Sequence, residues 1–122
     1  MTEVWKPIVG FPGYEVSDAG RIKSFRRNIQ GKILKPYITG PRKNYLEVML
    51  GRDGCLVRRK VHRLVLETFV GPCPTNYEAG HMDGNSMNNH VNNLAWITPS
   101  ENIRMKFEHI RAKTGVRPKG KV

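Results

Sequence analysis

Apolar and polar residues alternate in two early stretches of the chain, and this period of two predicts β-strands. Residues 14–25 read YEVS-DAG-RIKSF, which predicts two short strands around a turn that contains Gly20. Within residues 44–61 the alternation sets Leu46, Val48 and Leu50 against Tyr45, Glu47 and Met49. Asp53-Gly54 interrupts that stretch and favours a tight hairpin turn. The chain is therefore expected to begin with two antiparallel hairpins, joined through a basic loop at FRRNIQGK, residues 25–32.

The apolar period then changes from that of a strand to that of a helix. In VHRLVLETFVGP the residues Val61, Leu64, Val65 and Phe69 recur at helical spacing, and Gly71-Pro72 ends the segment. This helix is expected to pack on the preceding sheet. His62, near its start, is interpreted as a structural histidine.

The last helix has the clearest start in the sequence. Thr98-Pro99-Ser100-Glu101 is a capping box, with Thr98 as the N-cap and Pro99 at the first helical position. Ile103, Phe107 and Ile110 then form an apolar stripe on a helix that is otherwise basic. Beyond Thr114-Gly115 the segment VRPKGKV is rich in proline, glycine and lysine and is expected to be a flexible basic tail.

The fold class predicted from these patterns is α+β. Antiparallel hairpins occupy residues 1–60, and residues 61–113 form a second unit in which strand, long polar loop, strand and helix follow one another. The two strands of that unit are expected at NYEAGH (76–81) and LAWIT (94–98). Residues 114–122 are the basic tail.

Charge narrows the choice of partner. The 122 residues include 21 Lys and Arg against 10 Asp and Glu, a formal charge of +11. Such an excess favours a polyanionic partner, with nucleic acid the commonest, although a generally basic surface has the same composition. The cations expected to contact DNA are Arg21, Lys23, Arg26, Arg27, Arg58, Arg59, Lys60 and Arg104. For the cationic hairpin at residues 58–60, plain solvated charge is the competing interpretation.

Several classes of protein are disfavoured by the same sequence. No run of 18 apolar residues could span a membrane, and MTEVWKPIVG lacks the regions of a signal peptide. Cys55 and Cys73 form no CxxC pair, so a zinc knuckle is not expected, and both are interpreted as reduced structural thiols. A cytosolic protein is expected.

One polar stretch, GHMDGNSMNNHVNNLAWITPSEN at residues 80–102, contains candidate chemistry. Most of its asparagines are expected to hydrogen-bond within the loop and order it: Asn85, Asn88, Asn89 and Asn92. His81, Asn93 and Asn102 differ from them, because their order and spacing along a strand–loop–strand–helix pattern match a known arrangement. His90 is a rival base in the loop, and Asp83 has the spacing of a turn former.

These residues resemble the signature of the HNH endonuclease family, in the His-Asn-Asn variant found in phages and self-splicing introns. The segment WKPIVGFPGYEVSDAGRIKSF is similar to a small modular DNA-binding motif that often precedes such nucleases, and VHRLVLETFVG is similar to the helix that joins the two. The resemblance covers nearly all of residues 4–110. It implies a ββα-metal nuclease unit that nicks or cleaves double-stranded DNA, leaving 5′-phosphate and 3′-hydroxyl ends, in the host cytoplasm if the gene is phage-encoded.

The resemblance also implies a role for each motif residue. His81 would be the general base, Asn93 would hold its other ring nitrogen or neighbouring backbone, and Asn102 would give its carbonyl oxygen to Mg²⁺ or Mn²⁺. Relatives commonly have an acidic or amide ligand just before this histidine, and here that residue is Gly80. Either DNA phosphate oxygens and water or Asp83 would help Asn102 to bind the cation.

Two other functions remain open at this point. A DNA-binding module with a degenerate nuclease site would have the same charge and motif order without metal-dependent cleavage. A basic RNA-binding protein is also compatible with the charge, but few aromatic residues are placed for base stacking. The sequence does not set the oligomeric state, and one such site cuts one strand at a time.

Overall fold

The structure of the protein, a computed structural model, describes residues 3–42 and 44–114, with side chains as far as residue 108. The predicted basic tail beyond Thr114 lies outside the described residues. Strands β1 to β4 are Trp5–Pro7, Tyr14–Ser17, Ile22–Ser24 and Lys32–Ile33, and β5 to β7 are Tyr37–Thr39, Tyr45–Arg52 and Cys55–Lys60. Helix α1 is Val61–Phe69, strands β8 and β9 are Glu78–His81 and Leu94–Ile97, and helix α2 is Pro99–Thr114. The predicted α+β class is confirmed.

The first sheet has the strand order β1-β2-β3-β4, and all its pairs are antiparallel. The predicted hairpin is its central pair, with Val16 opposite Ile22. Buried Ser17 shapes the turn, because its hydroxyl accepts hydrogen bonds from the Ala19 and Arg21 amides. Gly20 lies in the same turn with a φ of +85°, a conformation that favours glycine.

The second predicted hairpin is also present and lies in a three-stranded sheet of order β5-β6-β7. Arg52 pairs with Cys55, so Asp53 and Gly54 form a two-residue turn, with φ values of 53° and 78°. Positive φ at both positions is the type I′ pattern that matches the twist of paired strands. Glu47 departs from the simple alternation, since it is buried together with Val48.

Three short strands were not predicted: β1, β4 and β5. Each has two or three residues, too few for an alternating pattern to be recognised. Strand β4 begins inside the segment predicted as a basic loop, where Lys32 pairs with Ser24. The N-terminal region is therefore two small sheets, each larger by at least one strand than the hairpin predicted within it.

One apolar core joins the N-terminal sheets, α1 and strand β9. It contains Ile8, Phe11, Tyr14, Val16, Ile22, Val48, Leu50, Val61, Leu64, Val65, Leu66 and Leu94. Helix α1 lies at its centre and contacts β2, β6, β7, β8 and β9. Because the apolar residues predicted for α1 are buried from both sides, the N-terminal sheets and the C-terminal unit share one interior.

The C-terminal unit is a two-stranded hairpin followed by a helix. Strands β8 and β9 pair antiparallel, with His81 opposite Leu94 and Glu78 opposite Ile97. The Trp96 indole N–H donates to the Gly71 carbonyl at 2.9 Å, which ties this hairpin to the end of α1. Trp96 is thus a structural residue of this unit.

The predicted capping box starts α2. The Thr98 amide donates to the Glu101 carboxylate at 2.9 Å, and the Glu101 amide donates to the Thr98 hydroxyl at 3.2 Å. Among the described side chains of its apolar stripe, Ile103 and Phe107 are more than half exposed. No helix in the described part of the chain is long and apolar enough to cross a bilayer.

Candidate active site

A polar cleft of about 160 Å³ opens where the C-terminal hairpin and helix α2 meet the second N-terminal sheet. Its lining residues are Asn44, Tyr45, Ala79, Gly80, His81, Gly84, Ser86, Asn102, Met105 and Lys106. Two of the three motif residues, His81 from β8 and Asn102 from the first turn of α2, face this one space. Asn44 and Tyr45 show that the N-terminal region forms one of its walls.

His81 is held by an asparagine that the sequence assigned to the loop alone. Its Nε2 lies 2.9 Å from Oδ1 of Asn89. A carbonyl oxygen can only accept, so the neutral ring must carry its proton on Nε2, which leaves Nδ1 as the basic atom. Burial lowers the pKa of His81 below its usual value of 6.5, although the Asn89 hydrogen bond and the Asp83 charge act in the opposite direction. The imidazole is therefore a neutral base at neutral pH.

A second histidine packs against the first. The rings of His62 and His81 have centroids 5.0 Å apart in an edge-to-face arrangement, and the Tyr45 ring lies 5.5 Å from that of His62. Burial lowers the pKa of His62 to about 3, with the His81 charge as a further cause. His62 thus stays uncharged and fills the space behind the candidate base, in agreement with the structural role expected for it.

The N-terminal turn supports Asn89 directly. The Val91 amide donates to the Asp18 carbonyl at 2.8 Å, and Asn89 is buried against the turn. A Cβ atom on Gly20 would lie 2.8 Å from Cβ of Asn89 and 2.9 Å from its carbonyl oxygen. Since only glycine permits this approach, the turn at residues 17–21 fixes the residue that orients His81.

Asn93 holds backbone and not the imidazole. Its Oδ1 accepts from the Asp83 amide at 2.9 Å, and its Nδ2 donates to the Asn88 carbonyl at 2.9 Å. Its own carbonyl accepts from the Met82 amide at 2.7 Å. Of the two functions that the resemblance implied for Asn93, the structure has the one toward neighbouring backbone, while Asn89 contacts the ring.

Asp83 differs from its predicted place as a metal ligand. Its carboxylate accepts hydrogen bonds from the Asn85 amide and from the side chains of Asn88 and Asn93, at distances of 2.8 to 2.9 Å. These bonds lower its pKa. Asp83 is absent from the lining of the cleft, because the turn needs its carboxylate to close the loop.

Asn102 and a glutamate from β8 are paired instead. The Nδ2 of Asn102 donates to Oε1 of Glu78, whose side chain lies on the same strand face as Gly80. The Asn102 amide donates to the Thr98 carbonyl at 3.0 Å, so the helix start fixes its backbone. An amide and a carboxylate, both with hard oxygen atoms, therefore lie side by side at the cleft edge.

Packing explains why the residue before His81 is a glycine, Gly80. A Cβ atom at residue 80 would lie 2.3 Å from Cδ1 of Ile97 and 3.0 Å from its Cγ1. Ile97 is buried, so its side chain occupies the space that a ligand at position 80 would need. No cluster of three or more His, Cys, Asp or Glu occurs among the described residues. Asn102 and Glu78 are hard oxygen donors and fit Mg²⁺ or Mn²⁺ better than zinc.

The predicted DNA-contacting cations divide into two groups. Arg21 pairs with Glu3, Arg26 donates to the Gly51 carbonyl at 3.1 Å, Arg59 pairs with Glu67, and Lys60 lies 4.0 Å from Glu47. Lys23 lies 4.0 Å above the Trp5 ring, and Arg27, Arg58 and Arg104 are exposed. The first group, Arg21, Arg26, Arg59 and Lys60, forms ion pairs or hydrogen bonds within the protein. The sequence alone could not distinguish these residues from cations that only carry surface charge.

The structure adds residues that the sequence analysis did not assign to the site. Asn89 and Glu78 contact the motif residues, and Asn44, Tyr45 and Lys106 line the cleft. Lys106 follows Asn102 by four residues, a spacing that places both on one helix face. That spacing was the one signal in the sequence that could have indicated Lys106.

The hairpin, loop and capped helix around His81 define the protein as a ββα nuclease in architecture. Comparison with family models agrees, since residues 3–51 match the NUMOD4 motif and residues 59–104 match an HNH endonuclease model. The chain belongs to the HNH endonuclease family and carries a NUMOD4 motif in front of the nuclease unit. The resemblance noted from the sequence is thereby confirmed.

Known relatives are consistent with this assignment. The chain is 37% identical over 108 residues to the uncharacterized HNH endonuclease L247 of Acanthamoeba polyphaga mimivirus, covering 84% of this chain and 26% of that protein. It is 50% identical over 42 residues to a Bacillus subtilis (strain 168) protein, YosQ, named as an SPbeta prophage-derived HNH homing endonuclease, covering 34% of this chain and 24% of YosQ. The chain thus spans about a quarter of the length of these relatives.

A solved structure supports the fold. The structure described as DNA binding and cleavage by the HNH homing endonuclease I-HmuI is 32% identical, with a TM-score of 0.73. The match covers 92% of this chain and 59% of that one. Both the N-terminal sheets and the ββα unit therefore have a counterpart in one known protein.

Proposed function

We propose that the chain is a DNA endonuclease that hydrolyses phosphodiester bonds in duplex DNA with the help of Mg²⁺ or Mn²⁺. The observation that carries this proposal is the hydrogen bond from His81 to Asn89, which leaves a neutral, oriented imidazole facing the cleft that Asn102 and Lys106 also line. Membership of the HNH family and the I-HmuI likeness support the same reaction.

The chemistry begins at the Nδ1 atom of His81. That atom accepts a proton from the attacking water, while Nε2–H remains bonded to Asn89 and keeps the ring in one orientation. Asn93 acts one step further away, by fixing the backbone of residues 82 and 83 that follows the base. Lys106 supplies positive charge to the cleft, which favours a bound phosphate.

The cation would be held by Asn102, with Glu78 beside it. When bound, a divalent cation stabilises negative charge on the phosphate and on the leaving 3′ oxygen. Asp83 is left out of this proposal because its carboxylate already closes the loop. The expected products carry 5′-phosphate and 3′-hydroxyl ends.

DNA binding is assigned to Lys23, which is half-buried over the Trp5 ring, and to the exposed cations Arg27, Arg58 and Arg104. Contacts from such side chains to phosphates fix position without selecting sequence. Binding is expected to weaken steeply with salt, by about 10³-fold between 50 and 200 mM if about six phosphates are contacted. Fluorescence anisotropy of a labelled duplex over that range of salt measures the slope.

Cleavage is tested with supercoiled plasmid. The protein is expected to convert it to the open-circle form in Mg²⁺ or Mn²⁺ and to leave it intact in EDTA. A single site cuts one strand, so open circles precede linear DNA. A protein that binds duplex with the salt dependence above but leaves plasmid intact in both cations would instead be a DNA-binding module with a degenerate nuclease site.

The Asn89 hydrogen bond predicts how the nicking rate depends on pH. The neutral form of His81 is the base, so the rate falls as the pH drops through the pKa of His81. Burial lowers that pKa, so this acidic limb of the pH profile lies below pH 6.5. Asn89→Asp puts a carboxylate next to Nε2–H and favours the charged ring, so the limb is expected to move up by about one pH unit. Asn89→Leu removes the bond that raises the pKa, so the limb moves down and the maximal rate falls about tenfold or more.

Single-turnover nicking rates between pH 5 and 9 measure both variants, in buffers of constant ionic strength. The titratable side chains near His81 are His62, the Asp83 carboxylate, Tyr45, whose ring lies 6.3 Å from that of His81, and Lys106, which lines the same cleft. His62 and Asp83 have lowered pKa values and do not titrate in the range where the limb is expected. Identical pH profiles for Asn89→Asp and Asn89→Leu would contradict a contact between residue 89 and the base.

A further inference from the structure

The cleft of the candidate site lacks a carboxylate among its described lining residues. Its ten lining residues include one imidazole, two asparagines and one lysine, but no aspartate or glutamate. A neutral amide oxygen alone is a weak ligand for a divalent cation, which proteins usually hold with one or two carboxylates. A protein carboxylate for the cation would therefore have to come from outside the lining residues.

Glu78 meets this requirement by position. It is half-buried on β8, and its Oε1 accepts from Nδ2 of Asn102, so the carboxylate lies beside the amide that faces the cleft. A carboxylate has about four lone-pair sites, so one hydrogen bond leaves acceptor capacity on both oxygens. Glu78 also lies on the strand face of Gly80, where Ile97 leaves no space for a side chain at residue 80 itself.

The other nearby carboxylate, that of Asp83, already accepts hydrogen bonds within its own loop. Asp83 accepts three hydrogen bonds within its loop, from Asn85, Asn88 and Asn93, and it does not line the cleft. To reach a cation it would have to give up bonds that order residues 83–93. Among the described residues, Glu78 accepts one side-chain hydrogen bond, and the donor is the candidate ligand Asn102.

We propose that Glu78 and Asn102 together form the divalent-cation site, with Glu78 as its anionic ligand in place of the side chain that Gly80 lacks. The proposal rests on the endonuclease function proposed for this chain. It assigns a residue three positions before the candidate base, at the first position of β8, to the binding of the cation. The hydrogen bond from Asn102 to Glu78 keeps the two side chains adjacent.

The test is binding of Mn²⁺ itself, followed by the electron paramagnetic resonance signal of the free ion as it is titrated with protein. Glu78→Gln keeps the shape of the side chain, and its carbonyl oxygen can still accept from Asn102, but it removes the charge. Its Kd for Mn²⁺ is expected to rise at least about tenfold. Glu108→Gln, an exposed position on the same helix as Asn102, removes the same charge away from the cleft and is expected to leave Kd unchanged. Thermal melting of both variants checks that each is folded.

Three outcomes would overturn the proposal. They are absence of Mn²⁺ binding by the wild-type protein, equal Kd values for wild type and Glu78→Gln, and an equal loss of affinity in Glu108→Gln. Plasmid nicking in parallel separates this inference from the endonuclease function. If wild type nicks plasmid and Glu78→Gln binds Mn²⁺ normally, the ligand assignment fails and the nuclease stands. If Mn²⁺ binding depends on Glu78 but the wild-type protein does not nick plasmid, the cation site stands and the proposed nuclease function fails.

Discussion

His81→Ala is expected to nick supercoiled plasmid at least about 10²-fold more slowly than the wild-type protein, because a positioned general base typically contributes 10²- to 10⁴-fold. The substitution removes the Nδ1 atom and leaves Asn89 without its ring partner. It removes no cation, so affinity for duplex DNA should change by less than about threefold. Single-turnover rates with Mg²⁺, together with anisotropy of a labelled duplex, measure the two effects separately.

His90→Ala is the matched control, since it removes the same type of ring from the loop that follows His81. The Nδ1 of His90 accepts from the Asn92 amide at 3.2 Å, so its ring caps a turn. A small loss of thermal stability is expected from this variant, with nicking within about threefold of wild type. A deep loss of activity in His90→Ala with normal activity in His81→Ala would reverse the assignment of the base.

Gly20→Ala is expected to lower the nicking rate about tenfold or more, although residue 20 lies in the N-terminal motif. The added methyl would lie 2.8 Å from Cβ of Asn89 and 2.9 Å from its carbonyl oxygen, so Asn89 must shift and carry the His81 ring with it. Backbone strain at a φ of +85° adds a loss of stability of about 1 to 2 kcal/mol. Nicking rates at saturating DNA and thermal melting curves measure the two parts.

Gly54→Ala separates strain from displacement. Gly54 has a similar φ of +78°, but a Cβ there would meet nothing within 4 Å. Both variants carry the strain of a positive φ, and Gly20→Ala should lose more stability because its methyl also meets Asn89. Only Gly20→Ala is expected to lose activity at a temperature where each variant is folded. Equal activities would show that the turn at residues 17–21 does not control the site.

The sequence predicted those strands and helices that have a long apolar period or a clear turn or capping signal. The Asp53-Gly54 turn, the α1 period and the capping box at Thr98 each follow from local chemistry, and each is present in the structure. Strands β1, β4 and β5 are stabilised by pairing with longer neighbours, so their own residues contain no signal. Local rules therefore give the fold class and the order of the main elements.

The site was predictable in outline but not in its contacts. Resemblance to the HNH signature selected His81 and Asn102, and both face the cleft. Five asparagines in residues 85–93 look alike in sequence, and only the approach of the Gly20 turn determines that Asn89 meets the imidazole. The pairing of Glu78 with Asn102 depends on how α2 crosses the β8–β9 hairpin, which no local pattern encodes.

The core shared between the two family segments has a consequence for how such proteins can be recombined. The family boundary between residues 51 and 59 is a boundary of sequence, but Val16 and Ile22 lie in one interior with Leu64 and Leu94. If the nuclease unit were joined to a different N-terminal motif, the face of α1 that packs on the N-terminal sheets would be exposed. The unit would also lose the turn that supports Asn89. Inheritance as separable cassettes therefore requires that the packing surface of α1 and the turn at residues 17–21 be exchanged together.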